Sequence, residues 1–367
     1  MTGLTGVAAT PSTRATIVDV ARAAQVSRQT VSNVLNRPDK VAAPTLERVR
    51  AEIARLGFTP HVTAQQLRRR KAAAFGFEVN PSGHGKMGHI LDEFLVQLTV
   101  AAPDHGSHLM VFAPDAEDVI EGYRQTLATG LVDGFVLADT RRGDPRPQWL
   151  LDHDVPFVSF GRVWDLPDLH QWVDVDGGAG VRQGVAHLVE AGYDRIGFLG
   201  WPSGSPVGDD RRSGWLAGLA DAGRSDPDEA EAEESVQDLD QATAAAERLL
   251  ARLGPGSAVV CASDMLALGA VRAARNAGLA LGPDVGVVGF DDTDVAEALS
   301  VTSIRQPIAE AARTAWQMLL SPRSTEPVLL TPELTVRSSS TRTPHPPRTA
   351  TDPDTTGTAH GRRKDTP

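Results

Sequence analysis

Six polar residues between positions 28 and 36 carry side chains whose chemistry suits contact with DNA bases. Val31, Val34 and Leu35 recur at helical spacing in the same stretch, so an α-helix would bury them on one side. Amide, hydroxyl and guanidinium groups on the opposite side would match the hydrogen-bonding pattern of base edges in the major groove. An ordinary helical hairpin with a polar outer face would show the same pattern. The six residues are Arg28, Gln29, Thr30, Ser32, Asn33 and Asn36.

Two further helices would position this one. The first has apolar residues at i, i+3, i+4 and i+7, and Thr16 and Ser27 are predicted to cap the first and second helices. The third is predicted from Pro44 to Leu56, with Gly57 as its C-cap. Three helices in this order favour a helix-turn-helix head, which places its second helix in the major groove. The apolar positions of the first helix are Ile17, Val20, Ala21 and Ala24.

The charge of the chain is unevenly distributed. The net charge is −11, yet residues 1–72 hold 12 Lys/Arg and 4 Asp/Glu, a net of +8 that leaves −19 for the remainder. A basic head on an acidic body is typical of a protein that docks on nucleic acid through the head alone, because phosphates repel the body.

Composition excludes several other classes. The single cysteine, Cys261, allows no disulfide framework and suits a reducing cytosol. Residues 1–17 lack the charged start and apolar run of a signal peptide, and no stretch approaches ~20 apolar residues, so we expect a cytoplasmic protein without membrane contact. A motif search for catalytic or metal sites finds none, and the GGAG at 177–180 does not complete a dinucleotide fingerprint. We therefore expect no enzyme activity, no cofactor and no metal.

Strands and helices alternate from Phe75 onward. Seven short runs rich in Val, Phe and Ile, among them FGFEV, PFVSFG and DVGVVGFDD, are separated by helical stretches such as 212–222 and 264–276. This alternation predicts parallel sheets with helices on both faces, and its length fits two lobes. Residues 1–14 and 338–367 are small or polar, and we predict that both segments are disordered tails.

The chain resembles the lac repressor (LacI/GalR) family of bacterial transcription regulators, first in its amino-terminal seventy residues and then along most of its length. The motifs are DVA at 19–21, VS-x-x-TVS at 26–32, Asn36-Arg37, LGF-x-P at 56–60 and A-Q-Q-L at 64–67. The resemblance implies a helix-turn-helix domain over 15–60 and a hinge helix over 61–72. A two-lobed, type I periplasmic-binding-protein-like domain for effector binding and dimerisation would follow over 73–337. Its chain would cross between the lobes near Phe160, Asp291 and Gln306.

The hinge is implied to join the DNA interface. Leu67 would wedge into the minor groove and kink the duplex, while Ala64 and Arg68 would flank it, Arg68 next to phosphates. Thr16 and Ser27 complete the predicted DNA-binding set. A solvated basic linker is the alternative for residues 61–72.

Two residues depart from the family pattern in the head. Gln25 stands in the turn where glycine is common, which predicts backbone strain of about 1 kcal/mol. Ala42 stands where a serine often caps the third helix, an absence that costs about 1 kcal/mol.

Ligand candidates stand at the ends of the predicted strands, where parallel sheets bind ligands. Arg211 comes three residues before Gly214-Trp215, a position where the family often has a cleft arginine, and Asp291 could accept from sugar hydroxyls. Trp215 is predicted to be core, and Asp264 a helix cap. Arg162 could equally form a salt bridge between lobes. The candidate effector residues are Ser82, Arg162, Trp201, Arg211, Ser263 and Asp291.

These observations predict a sequence-specific transcriptional regulator, a homodimeric repressor of carbohydrate uptake or utilisation genes. Its partners would be double-stranded operator DNA and a mono- or disaccharide bound between the lobes. A purine-type regulator that uses a corepressor is one alternative within the class. A solute-binding module for transport and a sugar-processing enzyme are the alternatives outside it.

Overall fold

The computed structural model describes residues 15–58, 73–79, 88–115, 118–224, 231–321 and 326–342. It divides into a small helical unit and a large α/β unit. The predicted tail at 1–14, the whole of the predicted hinge at 61–72, Ser82 and residues 343–367 lie outside the described residues.

The helical unit is a three-helix head. Its helices are α1 (Ile17–Ala23), α2 (Arg28–Asn36) and α3 (Ala43–Leu56), with a 3-10 turn at Pro38–Lys40 between α2 and α3. The apolar faces of all three helices meet in one core that contains Val20, Val31, Val34, Val49 and Phe58. The three predicted helices are thus confirmed, and the core lies where the helical spacing of apolar residues places it.

The ends of the head helices follow local rules. Thr16 and Asp19 form a capping box at α1, and the Ser27 hydroxyl accepts a hydrogen bond from the Thr30 amide at α2. Gln25 has a φ of 53°, the left-handed conformation predicted for it. The following amide, that of Val26, donates to the Ala21 carbonyl 3.0 Å away, which completes a Schellman motif.

The third helix ends as predicted and begins without a side-chain cap. Ala42 is the N-cap of α3 and makes no side-chain hydrogen bond there. Gly57 takes the left-handed C-cap position at a φ of 61°. The Phe58 amide then donates to the Ile53 carbonyl at 3.1 Å and the Phe58 ring joins the core.

The described part of the α/β unit contains twelve strands. They are β1 (Ala74–Glu78), β2 (His108–Phe112), β3 (Phe135–Leu137), β4 (Phe157–Phe160), β5 (Trp172–Val175), β6 (Ile196–Gly200), β7 (Ala232–Glu234), β8 (Ser257–Cys261), β9 (Val285–Phe290), β10 (Thr302–Arg305), β11 (Val328–Leu330) and β12 (Glu333–Thr335). The predicted runs match seven of these strands. The others are short strands, several of them half polar, which a search for apolar runs misses.

The helices of this unit alternate with the strands. They are α4 (His89–Ala101), α5 (Val119–Ala128), α6 (Pro145–Asp152), α7 (Gly177–Glu190), α8 (Pro206–Asp221), α9 (Leu239–Leu253), α10 (Asp264–Asn276), α11 (Asp294–Ala298) and α12 (Ile308–Leu320).

The strands form two six-stranded sheets, each the centre of one lobe. The first sheet has the order β11-β5-β4-β3-β1-β2 and the second β12-β10-β9-β8-β6-β7. The strand pairs with assigned register are parallel except β10 with β12, which is antiparallel. We call the lobe built on the sheet with β1 the first lobe and the lobe built on the sheet with β6 the second lobe. The predicted two-lobed fold with parallel sheets is therefore confirmed.

Three passages of the chain between the lobes are seen in the described ranges. It leaves the first sheet after Val175, returns after Arg305 through Gln306 and α12, and crosses again between Leu330 and Glu333. The prediction of a crossing near Gln306 is confirmed. Those near Phe160 and Asp291 are wrong, because β4 pairs with β5 and β9 pairs with β10 inside the same sheet.

Each crossing helix buries its apolar face in the lobe that it enters. Val181, Val185 and Leu188 of α7 belong to the core of the second lobe, whereas Ile308 and Trp316 of α12 belong to that of the first. The crossings place the carboxyl ends of β4 and β9, and the start of α8, in one polar region between the lobes.

The ordered chain extends past the predicted start of the carboxyl-terminal tail at residue 338. Ser338–Ser340 form a 3-10 turn in which the Ser339 hydroxyl donates to the Val287 carbonyl at 2.6 Å and the Ser340 and Thr302 hydroxyls lie 2.6 Å apart. Residues 338–342 are thus part of the second lobe, because small hydroxyl side chains fit against β9 and β10. No helix in the described ranges combines the length and apolar character needed to cross a bilayer.

Candidate nucleic-acid interface and effector site

The outer face of α2 carries the strongest DNA-reading candidates. Arg28 and Gln29 are exposed and Asn33 is half-buried. The Gln29 amide donates to the Asn33 side-chain oxygen at 3.2 Å, so the two amides lie side by side on one face of the helix. Two side-chain amides that lie next to each other can hydrogen-bond to neighbouring base edges.

Ser32 corrects the predicted outer face. It is 7% exposed, although the pattern placed it opposite the apolar stripe. At about 100° per residue, Ser32 lies only about 60° from Leu35, so it falls at the edge of the buried face. Gln29 and Asn33 are both close to diametrically opposite that face.

The remaining DNA candidates divide into capping residues and undescribed ones. Thr16 and Ser27 are exposed and both cap helices, and the Thr30 hydroxyl lies 2.9 Å from that of Ser27. Hydroxyls at helix starts can contact phosphates, so the positions of Thr16, Ser27 and Thr30 are compatible with contacts to the DNA backbone. Ala64, Leu67, Arg68 and the side chain of Asn36 lie outside the described part of the structure.

Arg211 is the centre of the polar region between the lobes. It lies on α8 and is 5% exposed, and its guanidinium donates to the Ala262 carbonyl. The Cζ atom of its guanidinium lies 3.7 Å from the centre of the Phe290 ring and 5.1 Å from the centre of the Trp201 ring. Burial lowers the pKa of Arg211.

Asp291 faces Arg211 at the end of β9. Its carboxylate lies 4.0 Å from the Arg211 guanidinium and accepts a hydrogen bond of 2.8 Å from the Gln306 amide. A φ of 108° turns the backbone sharply at this residue. Burial raises the pKa of Asp291 to about 7, against the attraction of Arg211 and with a further rise from Asp264. The carboxyl thus changes charge near neutral pH.

Two polar nitrogens in this region are left without partners. Within the described residues, the indole Nε1 of Trp201 and the Nε of Arg211 are buried and make no hydrogen bond. A buried donor without a partner costs about 1–3 kcal/mol, so these two groups are suited to donate to ligand hydroxyls.

Arg162 spans the two lobes. Its Nε lies 2.8 Å from Asp174 on β5 of its own lobe, and a terminal nitrogen lies 3.0 Å from Asp210 on α8 of the other. The Trp164 ring covers its face at 4.4 Å. Of the two possibilities that the sequence left open for Arg162, the structure shows the inter-lobe salt bridge.

The Ser263 hydroxyl makes structural hydrogen bonds within the second lobe. It is 1% exposed, caps α10 through the Leu266 amide, and donates to the Gln237 side chain at 3.0 Å. Because Ser263 is the cap, the prediction that Asp264 caps this helix is wrong. Asp264 instead accepts from the Ser303 hydroxyl at 2.6 Å and the Thr293 amide at 2.7 Å.

Trp215 is confirmed as a core residue. It is 1% exposed, its ring stacks on Phe198, and its indole donates to the Ile196 carbonyl at 3.0 Å. Ser82, the remaining effector candidate, lies outside the described residues.

Sequence reasoning missed three residues of the region between the lobes. Asp210 and Asp174 pair with Arg162, and Gln306 holds Asp291. The run of four charges at 209–212 at the start of α8 was a usable signal for Asp210. Nothing local marks Asp174 or Gln306.

A second polar network lies inside the first lobe. The buried Arg146 guanidinium pairs with Glu78 at 2.7 Å and Asp144 at 2.6 Å, and Tyr123 donates to Glu78 at 2.8 Å. It borders a cavity of about 100 Å³ that Asp139 also lines. Because Arg146 already pairs with two carboxylates and donates to the carbonyls of Ala138 and Asp139, we interpret this network as a structural support for the ends of β1 and β3.

Comparison with known proteins finds a family match for each part of the chain. Residues 16–61 match the family described as bacterial regulatory proteins, lacI family, and residues 185–340 match a periplasmic binding protein-like domain. The transcriptional regulator CelR of Thermobifida fusca is 32% identical over 335 residues, which cover 89% of this chain and 98% of that relative.

Two solved structures are similar to this one. The CelR–cellobiose complex has a TM-score of 0.65 and 32% identity, covering 89% of this chain and 100% of that one. The lac repressor dimer bound to operator and the anti-inducer ONPF has a TM-score of 0.74 and 27% identity, covering 89% and 99%. With a helix-turn-helix head, a two-lobed α/β body and a regulator matched over nearly its whole length, this chain belongs to the LacI family of DNA-binding transcriptional regulators.

Proposed function

We propose that this protein is a cytoplasmic, homodimeric repressor whose affinity for its operator changes when a neutral mono- or disaccharide binds between the two lobes. The genes that it controls would serve carbohydrate uptake or utilisation. Arg28, Gln29 and Asn33 would contact bases, and Leu67 of the hinge would enter the minor groove at the centre of the operator.

The observation that carries the effector proposal is the arrangement around Arg211. Among the described residues, the Nε of Arg211 and the Nε1 of Trp201 are buried donors without partners. The Arg211 guanidinium lies 4.0 Å from the Asp291 carboxylate, and its Cζ lies 5.1 Å from the centre of the half-buried Trp201 ring. Donors, an acceptor and an aromatic face are the groups that hold a sugar ring by its hydroxyls and its apolar face. The cellobiose bound by the related CelR makes a β-linked disaccharide the first compound to test.

The regulatory mechanism would couple the lobes to the head. A sugar that binds one arrangement of the lobes better than another shifts their equilibrium by that difference in affinity. Linkage then requires that operator and sugar affect each other's affinity by the same factor. Mobility-shift titrations with and without sugar therefore also give the sign of the response.

The base-reading face is tested with Gln29→Ala. An operator is first selected from random duplexes with the wild-type protein. We expect Gln29→Ala to weaken operator binding by about 1–3 kcal/mol and binding to random DNA only slightly. Gln125→Ala is the matched control, because Gln125 is exposed on α5 and bonds Glu121 four residues away, as Gln29 bonds Asn33. An unchanged preference for operator would exclude Gln29 as a base contact.

The effector site is tested by calorimetry with cellobiose, maltose and glucose. Arg211→Met keeps an unbranched chain but removes every donor, and we expect it to abolish binding of whichever sugar the wild type takes. Arg248→Met, an exposed arginine on α9 that pairs with Glu233, is the control. Equal affinity in wild type and Arg211→Met would remove Arg211 from the site.

A further inference from the structure

The glycine-rich start of α7 already holds a carboxylate. Helix amino termini with free amides bind phosphate and other anions. Here the Gly178 amide donates to Asp210 at 3.0 Å, and the Ala179 amide donates to Asp176 at 2.8 Å. A Cβ on Gly177 would lie 3.2 Å from the same Asp210 oxygen. The glycines let Asp210 approach closely, so the carboxylate occupies the place that a ligand anion would take.

The same oxygen of Asp210 also neutralises Arg162. Asp210 Oδ2 lies 3.0 Å from a terminal nitrogen of Arg162 and accepts from the Gly178 amide. A guanidinium and a helix amino terminus are the two groups with which proteins most often hold phosphate. Asp210 pairs with both of these groups at once, the Arg162 guanidinium and the Gly178 amide. Asp174 accepts a hydrogen bond from the Nε of Arg162.

The second arginine of the region offers no anion site either. Arg211 faces Asp291, and one of its terminal nitrogens donates a hydrogen bond to the Ala262 carbonyl. Among the described residues its Nε has no partner, and its second terminal nitrogen lies 4.0 Å from the Asp291 carboxylate. Recognition of a carboxylate or phosphate by arginine uses two parallel N–H groups, whereas one N–H suits a hydroxyl. Asp174 and Asp210 alone equal the two arginines in charge, so no positive charge is left over for a ligand.

We propose that Asp210 determines the chemical class of the effector. By occupying the position where an anion would bind, it restricts the site to uncharged polyols and rejects sugar phosphates and uronates. This rests on the proposed function in one respect, namely that an effector binds between the lobes. Asp210 acts on specificity through Arg162 and the start of α7, and its removal would expose an anion site that the wild-type protein keeps closed.

The test is a gain of binding in the full-length protein. Asp210→Ala and Asp210→Asn are titrated with inorganic phosphate, glucose 6-phosphate and glucose at pH 7.5, by calorimetry and by thermal shift. We expect both variants to bind glucose 6-phosphate at least about tenfold more tightly than the wild type, because a like charge in such a site is strongly unfavourable. The Asn variant keeps an acceptor for Gly178 and removes only the charge, so it carries the test if the Ala variant unfolds.

Asp221→Asn is the matched control. Asp221 lies on α8 as well and pairs with Arg182 of α7, but at an exposed position. A gain in both Asp210 variants and none in Asp221→Asn supports the proposal. Glucose 6-phosphate binding by the wild type, or no gain in either Asp210 variant, overturns it. If the gain occurs while the wild type binds no neutral sugar, the role of Asp210 stands and the proposed sugar-responsive function fails.

Discussion

The buried carboxyl of Asp291 predicts a specific dependence of stability on pH. Its pKa lies at about 7 in the folded protein, compared with an ordinary value of 3.8, and burial is the main cause. The folded state therefore keeps a proton that the unfolded chain releases above about pH 4. A group of this kind stabilises the fold fully below the lower pKa, and its contribution is lost as pH rises through the higher one.

The size of the effect follows from the shift. Each pH unit between the two pKa values is worth about 1.36 kcal/mol, so between pH 5 and pH 8 the contribution of Asp291 should fall by roughly 2–3 kcal/mol. The Asp291 side chain is 13% exposed, and solvent screening should reduce this only modestly. Asp291→Asn keeps an acceptor for the Gln306 amide and removes the titration.

Urea unfolding followed by tryptophan fluorescence at pH 5, 6, 7 and 8 measures the effect as a difference between wild type and variant. The wild type should lose stability relative to Asp291→Asn as pH rises, with most of the loss below pH 7. Asp294→Asn, an exposed neighbour, should leave the wild-type profile unchanged. A difference that stays flat, or that grows in favour of the wild type at high pH, would refute burial as the dominant influence and point to the Arg211 pair instead.

Three further substitutions test the local physics. Gln25→Gly should stabilise the head by up to about 1 kcal/mol, because the residue has a φ of 53° and glycine adopts it without strain, as thermal unfolding would show. Ala42→Ser should add about 1 kcal/mol by capping α3, and no stabilisation in either variant would mean that the strain or the missing cap costs nothing. Gly214→Ala should destabilise the second lobe by about 1–3 kcal/mol, because its Cβ would lie 2.1 Å from the Gly178 carbonyl oxygen. Ser213→Ala on the exposed side of α8 should change stability by less than about 0.5 kcal/mol in the same denaturation assay, and equal effects at the two positions would contradict the close approach of α7 and α8.

Much of the head was predictable because its structure depends on near neighbours. The caps at Thr16 and Ser27 each use the amide three residues on, and the left-handed Gln25 belongs to a turn of six residues. Apolar residues at helical spacing also predicted the core around Val20, Val31 and Val49. Ser32 was placed on the wrong face because the sequence gives a direction around the helix but not the width of the surface that its neighbours cover.

The strands with apolar runs were predictable for the same reason, since a strand buried on both faces is nearly all apolar. The half-polar strand WVDV at β5, and the short strands near the carboxyl end, depend on pairing partners far away in the chain. Without that pairing, the points at which the chain crosses between lobes could not be located.

By itself, the sequence determined the three helices of the head, the alternation of helices with seven of the strands, the basic head on an acidic body, and the positions of Arg162, Arg211 and Asp291 at strand ends or a helix start. The tertiary structure decided what these residues contact: Arg162 with Asp174 and Asp210, Arg211 with Phe290, and Asp291 with Gln306. The physical reason is one of range. Periodicity and capping act within a few residues, whereas burial, ion pairing and a carboxyl pKa near 7 arise only when the fold brings residues that are distant in the chain into a region from which water is largely excluded.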